Sequence, residues 1–228
     1  MSTLTYIILC PLIGALVLAF VPRTFVTVMR AVAIASTFVS ALLAWKVFLQ
    51  FDLAKQGFQF VQKAPWVDSL GLSYYVGVDG INVGLVLMAA VVAFAAACVS
   101  WEIEDRQKEF YILLLLMAGG ILGAFASLDL FFFYFFHELA LVPTFIMIGV
   151  WGRGERKNYA TFQITLYLSI GALIALLGLI LLYVQSGAHT FGIPEMNLER
   201  SRPGEPGVRR ERVSRSINGR VLPGPPAW

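Results

Sequence analysis

Charge, histidine and cysteine are scarce in this chain. Of its 228 residues 14% are Asp, Glu, Lys or Arg, and there are two His and two Cys. Soluble domains carry about 25% charged residues, which argues against a water-soluble globular fold. Cys10 and Cys98 both fall inside apolar runs. Two isolated thiols cannot hold an iron–sulfur cluster and lack zinc spacing, so they read as packed apolar side chains and no metal site is expected. A Gly-rich dinucleotide motif is also missing, so no bound cofactor is expected, nor any nucleic-acid partner.

Apolar residues make up 58% of the chain and the mean hydropathy is +0.76. Runs of about 20 apolar residues mark transmembrane helices. Six fall near 4–21, 28–49, 81–100, 110–127, 129–150 and 161–184. The expected fold is all-α: a polytopic membrane protein of about six transmembrane helices with a short external β-hairpin. The first span has no Lys or Arg ahead of it and no small-residue cleavage pattern behind it, so it reads as a retained helix and not a signal peptide.

Lys and Arg set the orientation. Arg23, Arg30, Arg106, Lys108, Arg153, Arg156 and Lys157 flank the first, third and fifth connections, against Lys46, Lys55 and Lys63 at the second and none at the fourth. Seven against three places the odd-numbered connections in the cytoplasm and the N-terminus outside.

Small residues recur at intervals of about four: Gly119, Gly123 and Ser127; Ala89, Ala93 and Ala97; Gly171, Ala175 and Gly178. Such stripes let membrane helices approach closely, and three of them predict a compact bundle. The aromatic run from Phe131 to Phe136 covers the whole circumference of its helix and is assigned to packing and lipid contact. In the long second connection, Leu70, Leu72, Tyr74, Val76 and Val78 alternate with Gly71, Ser73, Tyr75 and Gly77, which is strand periodicity. A hairpin with 58–62 is predicted, with Trp66 at the headgroup level.

The fifth span carries chemistry. Glu138 lies near its middle, where a carboxylate costs roughly 2.5–3.5 kcal/mol on insertion scales and is by default a functional candidate. Its helical neighbours Phe135, Leu141 and Val142 are apolar, and Tyr134 adds one hydroxyl. Pro143, five residues on, lacks an N–H and is expected to kink the helix, freeing the carbonyl of Leu139. A carboxyl that exchanges its proton at working pH can relay protons; the competing reading is a permanently protonated Glu that donates one interhelical hydrogen bond. His137 lies about 100° round the helix and is a secondary proton-path candidate. Asp129 is predicted as a helix N-cap in water, and Asp79 and Asn82 as caps of the third span.

These residues carry a resemblance. LFFFYFFHELALVPTFIMIGVWG, residues 130–152, resembles the fifth helix of the M-type (subunit 4) antiporter-like membrane chain of respiratory complex I, with its aromatic run, Glu, Leu-Val-Pro and closing Trp-Gly. APWVDSLGLSYYVGVDGINVGLVLM, residues 64–88, is similar to the segment entering that family's third helix, and SWEIEDRQKEFY, residues 100–111, to the connection after it. The resemblance runs from about residue 4 to residue 187. It implies a subunit in which proton translocation is driven by redox chemistry elsewhere, with Glu138 as the relay residue. NADH, flavin, iron–sulfur and most quinone contacts would belong to partner subunits, so the partners implied are other complex I membrane subunits, the bilayer and, indirectly, quinone. The implied location is a multi-pass place in a bacterial inner membrane.

Multisubunit Mrp-type cation/proton antiporters share the helix and its Glu and are the alternative, although the WG-x-G-E-R-K loop at 151–157 and the 64–88 segment favour the complex I chain. Family members continue for about eight further helices, including one with a Lys that pairs with the Glu. From Glu195 onward this chain has seven Arg with Pro and Gly throughout and almost no apolar periodicity. The expected division is therefore a transmembrane domain, 1–187, and a disordered Arg/Pro/Gly-rich tail, 188–228, read as a truncation or frame-shift product. The remaining reading is an inactive, truncated structural subunit.

Overall fold

The computed structural model describes residues 2–55, 57–67, 71–186 and 191–195. The described residues form six helices long and apolar enough to cross a membrane. They are α1 (Thr3–Phe20), α2 (Val26–Gln50), α3 (Asn82–Val99), α4 (Gln107–Ala126), α5 (Leu130–Trp151) and α6 (Lys157–Ser186). All six expected spans are present, and α6 starts a turn earlier than its apolar run.

An antiparallel hairpin, β1 (Gln59–Val67) and β2 (Leu72–Val78), fills the connection between α2 and α3. Leu70, in the predicted alternation, lies outside the described residues. The pairing slips between Gln59 and Gln62, where Phe60 adopts a φ of 54°, so the extra residue of a bulge absorbs the misfit. Val76 and Val78 are fully buried in the same apolar cluster as Leu4, Leu122 and Phe136. The hairpin is thus a plug on the bundle end.

α4 is the central helix, packed against α1 on one side and α5 on the other, while α2 joins α1 to α3 and α6 lies on α5. The small-residue stripe on α4 makes this possible. A Cβ on Gly120 would stand 2.7 Å from the Ala140 backbone nitrogen and 2.9 Å from the Phe136 carbonyl, and one on Gly123 would overlap the Phe136 ring. The stripe on α6 behaves differently: Gly171 and Gly178 have nothing within 4 Å of a Cβ. Close packing there was expected, but among the described residues no second helix covers that face.

Two polar arrangements hold the apolar framework together. Pro11 lies inside α1 and cannot donate to the carbonyl of Ile7. The buried Ser40 hydroxyl of α2 donates to that carbonyl at 3.0 Å, so a neighbouring helix restores what proline removed. At the other junction, Asp129 accepts from the backbone N–H of Phe131 (2.9 Å) and Phe132 (3.2 Å), and so caps α5 as expected. Its environment is corrected: Asp129 is fully buried, not in water, because β2 folds over it and the Ser73 N–H donates to its second oxygen at 3.3 Å. Burial pushes its carboxyl above the usual carboxylate value, against the opposing pull of the Phe132, Ser73 and Phe131 N–H groups and of Lys63. Asp79 caps α3 as expected, accepting from Ile81 (2.9 Å) and Asn82 (2.8 Å).

Of the expected tail, residues 191–195 are described. The Leu130 N–H donates to the Phe191 carbonyl (2.9 Å), the Ile193 N–H to the Leu128 carbonyl (2.8 Å), and Glu195 pairs with Lys63. These five residues strap the α4–α5 turn to the hairpin. The rest of 188–228 lies outside the described residues.

Candidate functional site

α5 is a continuous helix of 22 residues, about 33 Å long and enough to cross a ~30 Å hydrocarbon core. Asp129 begins it, and Glu138 lies eight residues beyond its first residue, about 12 Å from that end. Pro143 lies within the helix and is buried. The helix runs unbroken through Pro143 to Trp151. Beside Pro143 the Thr144 hydroxyl donates to the Ala140 carbonyl at 2.8 Å, adding a side-chain hydrogen bond in the turn where proline removes a backbone one.

The azimuth of Glu138 is set by what the rest of α5 must do. Phe136 and Ala140 turn toward Gly120 and Gly123 of α4. At 100° per residue Glu138 lies about 160° round the helix from each, on the side away from α4. That side belongs to α6, which follows α5 from Thr161 beside Gly149 at one end to Leu179 beside Leu130 at the other. Gly149 has nearly the same azimuth as Glu138.

Glu138 is half-buried, and its Oε1 is buried without a hydrogen-bond partner among the described residues. The Tyr134 hydroxyl interacts with the same carboxyl from one turn back. The three ion pairs among the described residues are Arg23–Glu109, Lys55–Asp52 and Lys63–Glu195, so no described cation pairs with Glu138. An oxygen enclosed in an apolar bundle with no donor costs about 1–3 kcal/mol or more.

His137 is exposed and its ring lies roughly parallel to that of Tyr134, centroids 6.5 Å apart. Tyr134 therefore touches both candidate residues. The sequence placed the Tyr134 hydroxyl one turn from Glu138 but assigned its aromatic run to packing and lipid contact, and gave no sign of the pairing of Tyr134 with His137. Among the described residues there is no group of three or more His, Cys, Asp or Glu that could hold a metal.

Residues 126–204 match the protein-family model described as NADH:quinone oxidoreductase/Mrp antiporter, TM. Over 190 residues the chain is 35% identical to NADH-quinone oxidoreductase subunit M of Rhodobacter capsulatus, covering 82% of this chain and 36% of that protein. It is 33% identical over 185 residues to NADH-ubiquinone oxidoreductase chain 4 of Arabidopsis thaliana, covering 81% and 37%. A chain of respiratory complex I from Thermus thermophilus superposes with a TM-score of 0.70 at 30% identity, covering 85% of this chain and 38% of that one. Sequence and fold match the N-terminal part of the M-type antiporter-like chain. The chain spans little more than a third of the length of these relatives. The match to this family model extends to residue 204, past residue 187 where the resemblance in the sequence ends. The chain is a multi-pass membrane protein.

Proposed function

We propose that this chain is a membrane subunit of a proton-translocating NADH:quinone oxidoreductase, and that Glu138 takes up and releases the translocated proton. The observation that carries this is the buried, unpartnered Oε1 of Glu138 near the middle of a membrane-spanning helix. Such an acceptor is ready to receive a proton or the donor that delivers one, whereas a carboxyl serving as interhelical glue would already be paired with another helix, and the partner seen here, Tyr134, is on its own helix. Tyr134 positions the carboxyl, and His137 is a second proton-path residue beyond that tyrosine. NADH oxidation, flavin, iron–sulfur clusters and quinone reduction belong to partner subunits in this reading, and neighbouring membrane subunits are the direct partners.

The family description also covers Mrp antiporters, which makes a subunit of a cation/proton antiporter the second reading. The names of the two relatives given above, NADH-quinone oxidoreductase subunit M and NADH-ubiquinone oxidoreductase chain 4, favour the first.

Glu138→Gln in the assembled complex is the test. It keeps the shape and removes the titrating proton. We expect assembly and NADH-driven quinone reduction to persist while proton uptake, read by quenching of a pH-sensitive dye in sealed vesicles, falls sharply. Unchanged proton uptake per NADH would refute the relay role. Cation-driven proton exchange without any response to NADH would favour the antiporter.

A further inference from the structure

We propose that the groove between α2 and α3 is a seat for one phospholipid, with an acyl chain along the groove and its phosphate on Arg30. The groove has a volume of about 500 Å3 and is lined almost wholly by apolar side chains, among them Ile34, Ala35, Phe38 and Phe94, with Arg30 and Trp101 at one end. Its wall on α2 runs from Thr27 to Phe38, about 16 Å along the helix axis, or half the ~30 Å hydrocarbon core. The groove therefore covers one leaflet. Its inner end is closed by the Phe38 and Phe94 rings, whose centroids are 5.3 Å apart.

The polar end is built for an anion. The Arg30 guanidinium stacks over the Trp101 ring at 4.5 Å, and its Nη2 donates to the Trp101 carbonyl at 2.9 Å. Its Nε–H is buried with no hydrogen-bond partner among the described residues. That Nε–H is enclosed and the Tyr111 hydroxyl also lies against the guanidinium, so what the groove end offers a ligand is the partly exposed remainder of a cation that makes no ion pair among the described residues, a charge complementary to a phosphate diester. Arg30 also lies at the bundle end where Arg23 and Lys108 cluster, the end with the excess of cations. Trp101 and Arg30 together form an interfacial anchor, and the apolar groove continues from it toward the midplane. A phosphate without chains would leave the groove empty, and chains without phosphate would leave the Arg30 charge without a counter-charge among the described residues.

The test uses the full chain, purified in detergent and depleted of lipid, then titrated with phosphatidylglycerol and read by native mass spectrometry. One tightly held copy is expected, with diacylglycerol of the same chains and glycerol phosphate each binding about tenfold more weakly or worse. Arg30→Gln is expected to weaken binding of phosphatidylglycerol about tenfold. Ala35→Phe fills the groove from an exposed position, leaves Arg30 intact, and is expected to do the same; it decides the matter if Arg30→Gln loses helix content by circular dichroism. Equal retention of diacylglycerol and phosphatidylglycerol, or wild-type binding by Ala35→Phe, would overturn the proposal. A photo-crosslinker at position 35 in native membranes is expected to give lipid adducts. Capture of another polypeptide there would mean that the groove seats a protein helix.

Discussion

Replacing Ser40 by Ala removes one hydroxyl, and the structure says what that hydroxyl does. It donates to the Ile7 carbonyl, which has no helical donor because the residue four positions on is Pro11. Both groups are buried among apolar side chains, so in Ser40→Ala no water replaces the lost bond. Interhelical hydrogen bonds in membranes average about 0.6 kcal/mol and reach about 1.7 kcal/mol. The upper figure applies here, since the carbonyl is otherwise left without a donor in a low-dielectric interior. The Cys10 thiol, which also interacts with Ser40, is a weak donor and recovers little of this.

The decisive comparison is a double-mutant cycle. Pro11→Ala restores an N–H in α1 that reaches the Ile7 carbonyl directly, so Ser40→Ala should cost almost nothing in that background. The Pro11→Ala change has its own packing cost, because the Pro11 ring is buried, but that cost is common to both arms and cancels in the coupling. Unfolding of the purified chain in mixed detergent micelles, followed by circular dichroism, gives the four free energies. A coupling of about 1 kcal/mol is expected. If Ser40→Ala destabilises equally with Pro and with Ala at position 11, the reasoning fails.

Gly120→Ala should destabilise by about 1–3 kcal/mol in the same assay, because its Cβ meets the α5 backbone, whereas Gly171→Ala should be neutral or slightly stabilising because its Cβ meets nothing. Equal effects at the two sites would show that α4 and α5 are not in close contact. Burial holds the Asp129 carboxyl above its ordinary value of 3.8, so the folded state keeps this proton to higher pH than the unfolded one. Stability from this group is therefore greatest in acid and declines as pH rises from about 3.8 through the raised folded value, then levels off. Asp129→Asn, which keeps the cap, should gain on wild type as pH rises above about 4, while Asp129→Ala should lose about 1 kcal/mol of cap stability. A wild type whose stability rises over that range relative to Asn would contradict the raised carboxyl. A Cys at Arg156 should react with an impermeant thiol label only from the cytoplasmic side; labelling from outside would reverse the orientation that the Lys and Arg count implies.

How much was legible before the structure differs from element to element. The six spans followed from apolar run length, since a bilayer demands that each crossing satisfy its own backbone. The hairpin followed from the alternation of Leu72, Tyr74, Val76 and Val78, and the caps Asp79 and Asp129 from residue type and position. Glu138 stood out because intramembrane carboxyls are costly enough to be rare. These are local properties, set by a residue and its near neighbours.

Burial of Asp129 was not legible, because it depends on β2, which is distant in sequence and covers the helix start through Ser73. The pairing of Pro11 with Ser40 depends on which face of α2 meets α1, and apolar helices with almost uniform hydrophobicity do not declare a face. The same uniformity hid the difference between the small-residue stripes on α4 and α6: in the sequence both are Gly and Ala at intervals of about four, and a neighbouring helix, or its absence, separates them. Side-chain type and spacing were enough to name the helices and to single out Glu138 as the candidate carboxyl. Which side chains meet across helices was decided by tertiary packing, because in an apolar solvent contact depends on shape and on the few polar groups that must find partners, not on hydrophobic contrast.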